Sequence, residues 1–147
     1  MWAPVSLPLV LALSAVGAAD GFAQACSRAD FEAAVGAAAE ALRGLNQTNK
    51  PGFQAKLRLL KAKRNWTHDQ FLAEAAPIVQ DVTITGYDER SAEFLARIEQ
   101  LGAEGTSAAN PDCDRLREVR ESMRALVEVQ KAKWAYMFGK IEAELAK

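Results

Sequence analysis

The sequence predicts an all-α fold: a small helical bundle of three long interrupted legs, about five helices, with a long C-terminal helix. Three observations predict it. From residue 26 onward apolar side chains recur at spacings of three and four over almost the whole chain. Helix-start residues stand in front of those runs, notably Ser27 with Asp30 and Thr67 with Gln70. The one stretch that alternates like a strand, Val82-Thr83-Ile84-Thr85, has no second run to pair with and cannot make a sheet alone.

Residues 1–25 read as a cleaved export signal. Val5 to Ala19 is uncharged and almost wholly apolar, Asp20 ends it, and Ala23-Gln24-Ala25 offers the small-x-small pattern of a signal-peptidase site. The run is shorter than the roughly 20 residues of a membrane span, so no transmembrane segment is expected in the mature chain. Residues 26–147 then form a single helical domain, periplasmic or secreted. Cleavage after Ala25 places Cys26 first, which raises a second reading, a lipoprotein anchored through an acylated Cys26.

Within the domain, Ser27 opens a helix over about 28–45, with Phe31, Val35, Ala38, Leu42 and Leu45 on one face. Asn46 to Gly52, which includes Lys50-Pro51-Gly52, carries turn chemistry and predicts a break. A basic helix follows from Phe53 to about Arg64. Thr67 starts the next, with Phe71, Ala75, Ile78 and Val82 inward, a kink at Pro77 and a frayed end closed by Gly86. Asp88–Leu101 is a further helix, with Phe94, Leu95, Ile98 and Leu101 inward and Gly102 as its stop. Residues 102–109 read as a loop of small residues. Asn110-Pro111-Asp112 then supplies an N-cap, a proline at the first helical position and an acid near the positive dipole end. The last helix runs to the end of the chain, about 50 Å. Leu116, Val119, Leu126, Trp134, Met137, Phe138 and Ile141 fall on its broad apolar stripe.

Cys26 and Cys113 are the only cysteines, and in an oxidising compartment they are expected to pair. That bond sets the first and last helices side by side and parallel. An odd number of legs satisfies this.

The 147 residues carry 18 Lys and Arg, 19 Asp and Glu and one His. Balanced charge excludes a polycationic nucleic-acid binder, and export argues against nucleic acid as a partner. A lone His68, two distant cysteines and no glycine-rich phosphate loop leave no metal, cofactor or nucleophile constellation. The reading is therefore non-enzymatic. An electrostatic catalyst using Arg and Gln inside a bundle is the one enzymatic form compatible with this composition.

Charge is segregated along the chain. Residues 43–65 hold seven cations and no acid, and 66–112 are strongly acidic. The first binding candidate is the basic helix, with Lys56, Arg58, Lys61, Lys63 and Arg64 around Leu57, Leu59 and Leu60, and Trp66 after it. Such a helix suits an anionic lipid surface or an acidic partner. The structural alternative is that Asp69, Glu74, Asp81 and Asp88 of the next segment neutralise it. The second candidate is Arg120 with Gln130, which project into the apolar stripe of the last helix and suggest a polar pocket for a small anion. Trp66 to Gln70 resembles, at Thr67 and Gln70, the Leu-Thr-x-x-Gln signature of small helical periplasmic stress chaperones; a capping box accounts for both residues, and the family is not assigned.

Together these observations predict an exported domain that binds another envelope component or an unfolded client protein. The alternative is a binder of a small anionic ligand. The two separate by geometry: the first needs an exposed apolar patch rimmed by cations, the second a closed polar pocket around Arg120 and Gln130.

Overall fold

The computed structural model describes residues 26–147; residues 1–25, where an export signal is expected, lie outside the described residues. The described residues form four helices: α1 (Arg28–Arg64), α2 (His68–Val79), α3 (Val82–Ser107) and α4 (Cys113–Ala146). There is no strand among the described residues.

Contacts between α1 and α4 keep a nearly constant sequence separation. It is 87 at the Cys26–Cys113 disulfide, 88 between Asn46 and Trp134, and 80 between Arg64 and Glu144. The two helices are therefore parallel. Between α3 and α4 the separation falls from 59 at Asp81–Lys140 to 39 at Ser91–Gln130 and 21 at Arg97–Glu118, so this pair is antiparallel. The return between α1 and α4 is made by α2 and α3, broken at Gln80 and Asp81. The disulfide joins the parallel N-termini as the cysteine pairing requires, with the Cα atoms 5.3 Å apart. A Cys26 sulfur held in this bond carries no acyl chain.

The structure has four helices where about five were expected, and the reasons are packing. Asn46–Gly52 does not turn. Phe53 is buried with its ring edge-on to Trp134 and Phe138, and Asn46 accepts a hydrogen bond from the Trp134 indole. Held against α4, the segment stays helical through Pro51, and Thr48 and Asn49 donate to the carbonyls of Gly44 and Leu45. α1 ends instead at Asn65, in the left-handed conformation, whose N–H returns to the last turn.

Two further boundaries move. The break in the middle leg falls at residues 80–81, because the Asp81 carboxylate caps Ile84 N–H and starts α3 there. Val82-Thr83-Ile84-Thr85 is thus the first turn of α3; Ile84 is buried, and Val82 is turned out to 87% exposure rather than inward. Gly102 does not end a helix, and α3 continues to Ser107. Gly102 and Gly105 are buried against α1, where Val35 and Phe31 lie directly on the α3 backbone. At α4 the cap is Asp112, which accepts from Asp114 N–H, and not Asn110.

The core falls into two clusters. Phe31, Ala34, Ala38, Ile98, Leu101, Leu116, Val119 and Leu126 fill the disulfide end. Phe53, Leu60, Ile78, Ile84, Met137 and Ile141 fill the other. Between them along α3 and α4 sits a polar layer, in which Gln130 donates to Ser91 Oγ and Ser91 donates to the Tyr87 carbonyl. Of the expected inward residues, Leu95 is 38% exposed.

Candidate functional site

The cations of the basic segment separate into those that meet α4 and those that do not: Lys56 and Lys63 lie on one flank of α1, Lys50, Arg58 and Lys61 on the other, with Arg64 between them. Lys56 pairs with Glu142 of α4 at 3.1 Å, and Arg64 with Glu144 at 3.4 Å. Lys63 donates to the Leu145 carbonyl, and Arg64 to that of Glu144. Because α1 and α4 are parallel, their negative dipole ends lie together, and these cations satisfy carbonyls that α4 leaves unpaired. The Glu144 carboxyl is held below its ordinary range, first by Lys147 and to a lesser degree by Arg64.

No carboxylate of the acidic segment forms an ion pair with the basic helix among the described residues, against the expectation that they neutralise it. Asp81 accepts from Lys140 and from Tyr136 at 2.9 Å, and Asp88 pairs with Lys133. The Asp81 carboxyl is held at about 2 by Lys140 first, then by the Ile84 N–H and the Tyr136 hydroxyl. Lys140 also donates to the Pro77 carbonyl, so one ammonium spans the break between α2 and α3.

The second group of cations is Lys50, Arg58 and Lys61. At 100° per residue these three share a flank of α1 with Gln54 and the half-buried Leu57, away from α4. None makes an ion pair among the described residues; Lys61 instead lies over the Phe71 ring of α2, 5.5 Å from its centre. Phe71, Ala75 and Ile78 turn α2 into the bundle. Its α4-facing flank, with Glu74 and Pro77, lines a cleft of about 410 Å³ together with Arg64, Trp66 and Lys140. The opposite flank of α2 carries Leu72 at 57% and Val79 at 38% exposure, and Val82 follows beyond the break. Through Lys61 and Phe71 the α1 flank that holds the three cations without carboxylate partners is joined to α2, which exposes these aliphatic side chains.

The remaining candidates are not brought together. Gln130 belongs to the polar layer. Arg120 lies about 15 Å away along α4, exposed in a groove of about 460 Å³ with Asp30, Ala33, Ala37, Met123 and Arg124. Trp66 packs on the second core cluster, Tyr136 is half-buried against α3, and His68 is exposed. Lys50 shares a flank with Lys61 because α1 runs unbroken through 46–52, where the sequence predicts a turn, and the exposure of Leu72 and Val79 is set by how α2 packs, which its capping box and Pro77 do not specify. No group of His, Cys, Asp and Glu among the described residues is arranged to hold a metal ion, and no described helix is long and apolar enough to cross a membrane. Comparison with protein-family models, curated proteins and solved structures finds no match.

Proposed function

We propose that this chain is an exported, non-enzymatic docking domain whose α1–α2 flank binds another protein of the envelope or an unfolded client. The observation that carries the reading is a run of exposed aliphatic side chains, Leu72, Val79 and Val82, that starts next to Phe71, the ring over which Lys61 of the unpaired α1 cations lies. Exposed aliphatic side chains rimmed by cations mark a surface for a partner with apolar and acidic groups. The disulfide between Cys26 and Cys113 is compatible with an oxidising compartment. The small-anion reading has less support, because Arg120 and Gln130 line no common cavity and the Gln130 amide is already bonded.

A photocrosslinking residue at position 72 tests this in intact cells. The expected result is a discrete adduct with one or a few proteins, lost when Val79 is changed to Ser. Absence of adducts at 72 and 79, with adducts from positions elsewhere on the domain, contradicts it.

A further inference from the structure

Away from the α1–α2 flank, two other faces of the bundle match each other. Along the outer groove between α1 and α4, Arg120 and Arg124 stand one turn apart over a floor of Ala33, Ala37 and Met123. Neither has an ion-pair partner among the described residues. Arg117 beside them is neutralised by Asp114 and Glu121. The one carboxylate on the α1 wall, Asp30, is committed to its own N-cap, accepting from Ser27 N and Oγ at 2.8 Å. Its carboxyl is held low by those bonds first, with only a smaller contribution from Arg120. Two like charges at i and i+4 repel, so the pair favours a carboxylate acceptor from outside.

The outward face of α3 carries the complement. Glu89 and Glu93, also one turn apart, are exposed and make no ion pair among the described residues. Ala92 and Ala96 lie on the same face and are exposed. Their charge order, spacing and small side chains mirror the groove of Arg120, Arg124, Ala33 and Ala37. We infer that the α3 face of one copy docks into the α1–α4 groove of a second copy, with Glu89 and Glu93 against Arg120 and Arg124.

In a three-legged bundle the α3 edge lies opposite the α1–α4 groove. Each copy therefore presents both halves of the contact on opposite sides, and the association is head-to-tail and open-ended rather than a closed twofold pair. The contact is polar and exposed, so it is weak and sensitive to salt.

Sedimentation of the oxidised protein across concentration tests it. The weight-average mass is expected to rise past that of a dimer as concentration approaches the millimolar range, and to return to monomer at high salt. Arg120→Glu with Arg124→Glu should abolish the rise, and so should Glu89→Arg with Glu93→Arg. An equimolar mixture of the two double variants should restore it, since each then meets opposite charge on both faces; this restoration also shows that the variants are folded. A chain that stays monomeric, a plateau at dimer unaffected by either pair, or a mixture that remains monomeric overturns the inference.

Discussion

The same substitution, glycine to alanine, should change stability in opposite directions at two helical positions. Gly44 lies within α1, exposed, with nothing within 4 Å of where a Cβ would stand. Alanine there removes backbone freedom from the unfolded chain and should stabilise by about 0.5–1 kcal/mol. Gly105 lies in the last turn of α3, where an added Cβ would overlap the ring of Phe31. That ring is fully buried, five residues from the disulfide that fixes the start of α1. Overpacking of this kind costs about 1–3 kcal/mol, more than the propensity gain.

For a domain of this size each kcal/mol moves the melting temperature by roughly 3–5 °C. Gly44→Ala should therefore melt a few degrees higher than the parent and Gly105→Ala about 3–10 °C lower, read by circular dichroism on oxidised protein. Shortening the ring, Phe31→Leu, should cost less in the Gly105→Ala background than in the parent, because the two sites share one space. If both alanine variants shift the same way, or if the Phe31 substitution costs the same in both backgrounds, direct packing of α1 on the α3 backbone is refuted.

Phe53→Ala should cost about 3–5 kcal/mol, and Trp134→Ala less, since Phe53 is buried where Trp134 is half-buried; urea titration of each checks the order. The Asp81 carboxyl is depressed from 3.8 to about 2, so its contribution is complete above roughly pH 4 and is lost as pH falls towards 2; melting temperature against pH should show a slope in that window that Asp81→Asn removes. Lys63→Ala with Arg64→Ala should loosen the last turn of α4, read as faster amide exchange near residues 143–146, with a stability loss of about 0.3–1 kcal/mol. Reduction of Cys26–Cys113, which closes a separation of 87 residues, should lower stability by up to about 4–5 kcal/mol while the remaining folded fraction stays helical.

Helix identity was legible because it is local. Ser27 with Asp30 and Thr67 with Gln70 form capping boxes where their spacing places them, and the apolar stripe of α4 packs where its period puts it. The cysteine pair and the direction it imposes on α1 and α4 were legible from their positions at two helix starts. Boundaries set by distant contacts were not. Pro51 and its polar neighbours read as a turn until Phe53 is known to pack edge-on against both Trp134 and Phe138. Gly102 and Gly105 read as a stop, although their lack of a side chain is what lets Val35 and Phe31 approach. The basic segment was visible as charge, and helical spacing alone sets Lys56 and Lys63 on one side of its leucine stripe and Lys61 on the other. Two things come only from the structure: α4 pairs with Lys56 and Arg64, and Lys50 lies on the Lys61 side because α1 runs unbroken through 46–52.

This division makes a paired experiment the most direct test of the docking surface. One variant changes Lys50, Arg58 and Lys61 to Gln; the other changes Lys56, Lys63 and Arg64 to Gln. Melting temperature and the in-cell adduct from a crosslinker at position 72 are measured for both. The account predicts that the first variant keeps its melting temperature and loses the adduct, while the second melts a few degrees lower and keeps it. If the adduct persists in the first variant or is lost equally in both, the α1–α2 flank is not the binding surface.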